Sequence, residues 1–186
     1  MRLAVLLSLN VFVISLLSVH AQDSLTRASE LYRSAAYDDA LAVLARLRVE
    51  TQRERSEISA YQALCLFALG RTDEGARLVA TIVSDDPLYK LPASIGSPSM
   101  HELFTEVRRA ALPRVVAREY ADAKAAFDRK DPKTSALFDR LLLILDDADL
   151  EMAEKASLRE VAAGFRTLSL AFPSPAAGAS QNPPLR

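Results

Sequence analysis

The apolar positions between Ile58 and Val83 fall into two helical stretches that meet at Gly70. Ala60, Leu64, Phe67 and Ala68 mark one face of the first, and Tyr61, Ala63, Leu66 and Leu69 widen it. That is more than a single face, so the helix is expected to be buried on most sides. The second stretch carries Leu78, Val79, Ile82 and Val83 at i, i+1, i+4 and i+5, and Asp86-Pro87 ends it. Gly70 stands where the chain must reverse and accepts positive φ without Cβ strain. Thr72 or Asp73 offers a side-chain oxygen to cap the second helix.

The same pattern stands upstream. A shift of 35 residues brings Ala28 onto Ala63, Leu31 onto Leu66, Tyr32 onto Phe67, Asp38-Asp39 onto Asp73-Glu74, Leu44 onto Val79 and Leu47 onto Ile82. A third copy starts near Arg114. A shift of 60 brings Ala63, Phe67 and Gly70 onto Ala123, Phe127 and Lys130, and a shift of 59 brings Val79 and Ile82 onto Phe138 and Leu141. One residue is therefore missing at the third turn, close to Pro132. The spacing predicts helical hairpins over about 23–50, 57–86 and 114–146. In the first, Asp23 or Ser24 is the expected cap. Gln52 to Glu57, with alternating charges, reads as a solvated turn or a helix start.

Residues 87–112 interrupt the repeat with Pro87, Pro92, Pro98 and Gly96. Ser97-Pro98 is a helix start, followed by Met100, Leu103, Phe104, Val107 and Ala111 on one face. Asp149 is the expected cap of a closing helix over 150–172. There Leu158, Val161, Ala162, Phe165, Leu168 and Phe172 line one side. Gly164 inside it costs about 1 kcal/mol against alanine, with close approach to a neighbouring helix as the expected reason. The tail, 173–186, has four prolines and no apolar period, which predicts disorder.

Residues 1–21 read as a signal peptide: Arg2, an apolar run from Leu3 to Val19, then Val19-His20-Ala21, with cleavage expected between Ala21 and Gln22. The alternative is an uncleaved anchor, in which case the chain contacts a membrane there. No cysteine follows the run, so a lipid anchor is not expected.

A helix–turn–helix repeat of about 34 residues is the period of tetratricopeptide units. The run LYRSAAYDDALAVLARL resembles the second half of that motif, with Tyr37, Asp38, Asp39 and Ala40 matching its aromatic–acidic–acidic–alanine turn. In the second copy Thr72 replaces the aromatic and Gly75 the alanine, and that copy alone ends in proline. The run DPLYKLPASIGSPSMHELFTEVRR is similar to inserts in tetratricopeptide proteins of the bacterial envelope. The resemblance implies an all-α, right-handed α-solenoid of helix pairs over 22–172, about seven or eight helices in all. It implies a concave face made by the first helix of each pair, where partner contacts gather. The matching positions are Tyr32, Arg33, Phe67, Tyr120, Lys124 and Phe127. Core packing is the competing reading for Phe67 and Phe127, and ordinary solvated charge for Arg33 and Lys124.

Composition changes this picture little. The chain has 186 residues, half of them apolar, no Trp and a formal net charge of −1, which suits one helical domain. Loss of Arg2 with the leader takes the charge to −2. Arg46, Arg48, Arg53 and Arg55, and Arg108, Arg109, Arg114 and Arg118, form two basic groups. Acidic residues interleave with both, so no nucleic-acid partner is expected. A single cysteine excludes an internal disulfide, and Cys65 between Leu64 and Leu66 reads as a buried thiol.

Catalytic chemistry finds little to stand on. His101-Glu102 opens like a zinc-protease helix, but Thr105 stands where the second histidine belongs. Asp146-Asp147-Ala148-Asp149 lacks the glycine and downstream glutamate of a calcium loop, so a capped helix start is the favoured reading. No enzyme activity, metal or cofactor is expected. The expected function is a protein- or peptide-binding scaffold, periplasmic or secreted. The alternative is a structural or self-assembling subunit without a groove, which exposed apolar surface on the last helix would favour.

Overall fold

The computed structural model describes residues 25–172, so the expected leader, its cleavage site at Ala21 and Gln22, the Asp23–Ser24 cap and the C-terminal tail lie outside the described residues. Among the described residues the chain forms seven helices and no strand. They are α1 (residues 25–33), α2 (Tyr37–Leu44), α3 (Gln52–Ala68), α4 (Thr72–Asp85), α5 (Pro98–Asp128), α6 (Thr134–Leu145) and α7 (Lys155–Ser169). The chain divides into two compact units, Met1–Phe104 and Thr105–Arg186, with the boundary inside α5.

One turn recurs. Ala35, Gly70 and Lys130 have φ of 61°, 73° and 55°. Each donates its N–H to the carbonyl three residues back, Tyr32, Phe67 and Phe127, at 3.0, 3.0 and 2.9 Å. The next N–H (Ala36, Arg71, Asp131) reaches five residues back to Leu31, Leu66 and Ala126, at 2.9, 2.8 and 3.0 Å. This is the Schellman closure of a helix, whose left-handed residue is normally glycine. Only Gly70 is one; Ala35 and Lys130 hold the same conformation with a Cβ.

Equivalent residues fill equivalent places around these turns. Ala28, Ala63 and Ala123 are all fully buried. So are the next-helix positions Leu44, Val79 and Phe138. Ala40, Gly75 and Thr134, related by the same offsets, are each small and buried. A Cβ on Gly75 would lie 2.6 Å from the Phe67 ring and 3.1 Å from the Ala63 carbonyl oxygen.

In the first unit α2 and α4 both pack on α3. α3 begins at Gln52, six residues before Ile58, the expected first helical residue of this hairpin. Thr51 caps it, its Oγ1 accepting from Glu54 N–H at 3.2 Å while the Glu54 carboxylate accepts from Thr51 N–H at 3.0 Å. This Thr-x-x-Glu box makes the charged stretch a helix start. The cap expected from Thr72 or Asp73 does not form. Arg71 holds the N-cap position of α4 with no side-chain cap bond, and its guanidinium instead grips Glu74 through two bonds of 2.7 Å. Beyond α4, Gly96 at φ +85° lets the connector lie on Leu64, and His101 Nε2 lies 2.7 Å from the Ile95 carbonyl oxygen. Ser97 Oγ accepts from Met100 N–H at 3.4 Å, and α5 starts at Pro98 as the sequence indicates.

Two boundaries differ from the sequence reading. α5 does not break at Pro113 but runs through it. Proline removes the N–H that would bond the Arg109 carbonyl. Leu112, Val115 and Val116 around it are all buried, and the row Arg108, Leu112, Val116, Ala123 and Ala126 keeps its helical phase across the proline. Burial of that row outweighs the local loss. The last helix, for its part, begins at Lys155, five residues after Leu150. Asp149 is not its cap, because Asp149 and Asp147 are drawn to Arg108.

Candidate functional site

Arg108 is 1% exposed, the largest fully buried side chain among the described residues. Its Nη2 donates to Asp147 Oδ2 at 2.5 Å and its Nε to Asp149 Oδ2 at 2.9 Å. The other Asp147 oxygen accepts from Asp149 N–H at 2.8 Å, and Lys155 Nζ donates to the Asp147 and Leu150 carbonyls at 2.8 and 3.3 Å. The acidic run therefore folds around the Arg108 guanidinium. A buried charge needs partners of this kind to offset its lost hydration. The knot joins the α6–α7 connection to α5 and is structural. It was legible only as a lone arginine interrupting an apolar row.

The sequence-chosen surface residues lie as follows. In the first unit, Tyr32 is half-buried, its ring 5.6 Å from that of Tyr37 and 6.0 Å from that of Tyr61. Burial, then the neighbouring ionisable groups, raises its phenol above the usual range. Arg33, beside it in α1, is exposed. Phe67 is 6% exposed and taken up by the α3–α4 hairpin against Gly75. In the second unit, Tyr120, Lys124 and Phe127 share a face of α5 at i, i+4, i+7 and are each half-buried. Phe127 meets Phe165 at 4.7 Å and Phe172 at 5.1 Å, and Phe165 stacks on Phe138 at 5.5 Å. Lys124 Nζ lies 2.5 Å from Asp128 Oδ1 and 5.6 Å from the centre of the Phe165 ring. So Lys124 and Phe127 come together on α7. Tyr32, Phe67 and Phe127 also share one structural role, since each lends its carbonyl to the left-handed residue of its hairpin.

What the sequence reading missed is on α7. The apolar side read from Leu158 to Phe172 is wider than the surface that covers it. Ala162 is fully buried and Leu158, Phe165 and Phe172 are half-buried, but Val161 is 46% and Leu168 61% exposed. Gly164 has nothing within 4 Å of where its Cβ would stand, which overturns the expectation of a helix packed against it. On the opposite flank Arg159 and Arg166 reach α6, bonding Asp146 at 2.7 Å and Asp139 at 2.8 Å. The regular spacing of the exposed members was the signal available.

Little else is built for chemistry. The Cys65 thiol is buried and pushed up to about 12, by lost hydration and then by the Asp38 charge, so it carries no reactive thiolate near neutrality. Among the described residues no cluster of His, Cys, Asp and Glu is arranged to hold a metal, and no helix is long and apolar enough to cross a membrane. The hollows on the α3–α4 hairpin, about 360 Å³ at Gly70–Arg77 and about 300 Å³ beside Leu66 and Leu78, are shallow. Comparison with protein-family models, curated proteins and solved structures finds no match.

Proposed function

We propose that this chain is a non-catalytic protein-interaction module of the bacterial cell envelope, a tetratricopeptide-like array of helical hairpins exported to the periplasm or beyond. The observation that carries the reading is the recurrence of one hairpin: left-handed residues at 35, 70 and 130, closed by the same hydrogen bonds around the same buried alanines. Arrays of this kind act by presenting surface. The surface favoured is the first helix of each hairpin, with Tyr32 and Arg33 on α1 and Tyr120 and Lys124 on α5. Within each unit by itself, a partner segment docked on that helix would bury the exposed edge of the tyrosine and pair with the neighbouring cation.

The test compares partners crosslinked to the wild-type chain in an envelope extract with those crosslinked to the Arg33→Glu, Lys124→Glu double variant. Loss of a specific partner in the variant supports the groove. Unchanged recovery overturns it. N-terminal sequencing of the chain recovered from the envelope checks export, with Gln22 as the expected first residue.

A second reading, a structural or self-assembling subunit, is favoured by one observation: Val161, Leu168 and Leu170 at the end of the described chain are exposed.

A further inference from the structure

The exposed side of α7 is a regular seam. Ser157, Val161, Gly164, Leu168 and Ala171 follow one another at intervals of four, three, four and three, and all are exposed. This is the heptad spacing by which two helices pack with a slight left-handed crossing. Ala171 lies in the turn that ends the helix, and the other four are helical. The helix is anchored on its other sides by Phe165 against Phe127 and by Arg159 and Arg166 against α6. The seam is thus held firmly, and among the described residues nothing lies within 4 Å of a Cβ at its centre, Gly164.

We propose that the seam binds a second copy of this chain, antiparallel, about a two-fold axis beside Gly164. This gives the self-assembly reading above a partner and a register, and rests on it. The seam has the same pattern from either end: small, larger apolar, glycine, larger apolar, small. A two-fold axis at Gly164 sets Ser157 level with the second copy's Ala171, and brings Val161 beside its Leu168, within one residue's rise of about 1.5 Å. At the axis two glycines meet, so the backbones approach closely. An interior glycine that weakens a helix by about 1 kcal/mol and meets no neighbour among the described residues then has a packing role. Charge agrees with the same register. Glu160 flanks the seam, and the axis places it within one residue's rise of uncharged Thr167 and about 12 Å along the helices from its own counterpart. The antiparallel arrangement also opposes the two helix dipoles. A seam of this length spans about 21 Å, less surface than a standard interface of about 800 Å² per partner supplies. The dimer is therefore reversible, with a Kd on the order of micromolar or weaker.

Sedimentation of the full chain over a range of concentrations tests the association, and single cysteines test the register. The wild-type chain shifts from monomer to dimer as concentration rises, and Leu168→Glu weakens the dimer by about tenfold or more with an unchanged helical circular-dichroism spectrum. Under mild oxidation Gly164→Cys crosslinks two chains; its Cβ has open space, so the variant folds. Val161→Cys does not crosslink to itself, because the axis separates the two positions by about 9 Å along the helices, beyond disulfide reach. Val161→Cys mixed with Leu168→Cys does crosslink. Buried Cys65 does not compete. A monomer at every concentration up to roughly 0.5 mM, or a Val161→Cys chain that crosslinks to itself, overturns the proposal. The partner surfaces proposed on α1 and on α5 are tested by different residues. A monomer that still captures its partner fails this inference alone, and a dimer that captures nothing fails the groove alone.

Discussion

Phe67 and Gly75 occupy one space: a Cβ on Gly75 would lie 2.6 Å from two ring carbons of Phe67, closer than real carbons approach. In the first hairpin the corresponding pair is Tyr32 and Ala40, and there a methyl fits. The exchange of alanine for glycine between the copies is therefore steric, set by how closely α3 and α4 approach around a ring that is almost fully buried. Gly75→Ala should destabilise the chain by about 1–3 kcal/mol, the usual effect of overpacking. An alanine elsewhere in a helix would stabilise by up to about 1 kcal/mol. Urea unfolding of Gly75→Ala, Phe67→Leu and the double variant checks this. The double variant should recover part of the loss, because leucine vacates the ring volume.

Arg108 and Arg71 form ion pairs of opposite worth. Arg108 is buried between Asp147 and Asp149, whereas Arg71 and Glu74 are each nearly half exposed. Arg108→Ala strands two carboxylates and should cost about 3–5 kcal/mol. Arg71→Ala should leave stability almost unchanged, because water and salt screen an exposed pair. Chemical denaturation of the two variants side by side separates the cases, and equal costs would mean that the knot around Arg108 is solvated.

Burial raises the Cys65 thiol to about 12, above the value near 8.5 of a free cysteine. A group raised in the folded state contributes stability that is complete below its unfolded value and lost as pH rises toward its folded value. Stability should therefore fall from about pH 8.5 upward, with Tyr32 and Tyr61, also raised by burial, adding to the fall above about pH 10. Cys65→Ala should show a shallower decline between those two values, whatever its stability at neutrality. A thiol reagent at neutral pH should label Cys65 only as fast as the chain opens.

Pro113 lies inside α5, where it deprives the Arg109 carbonyl of a donor. Pro113→Ala restores that bond and should raise stability by about 1–3 kcal/mol, read as a higher melting temperature. A loss would show that the proline's own packing outweighs the missing bond.

Periodicity alone revealed the hairpins, because buried rows at helical spacing leave a pattern that one residue type can vary without blurring. Ala28, Ala63 and Ala123 align at fixed offsets and are all fully buried. Gly70 was legible as a turn since glycine advertises positive φ, and Lys130 was legible only through its alignment with Gly70. Element ends were less legible. The hairpin spacing placed a boundary between the insert, 87–112, and a third hairpin from about 114, but α5 runs through it on the buried row around Leu112 and Val116. Asp149 looked like a cap because its attraction to Arg108, 41 positions earlier, leaves no local mark. The α7 seam was hidden by its own apolarity: Val161 and Leu168 read as core, and only folding shows that the core stops short of them. Thr51 and Glu54, by contrast, carried a readable capping box.

The central claim is that three hairpins close on one left-handed turn, and two of these turns carry a side chain that opposes it. The direct test is the stability of Ala35→Gly, Lys130→Gly and Gly70→Ala, measured together. A left-handed residue with a Cβ bears about 1–2 kcal/mol of strain. The account therefore predicts that both glycine substitutions stabilise the chain and that Gly70→Ala, which meets no steric obstacle, destabilises it. Destabilisation by either glycine, as at an ordinary right-handed helical position, would contradict the shared turn.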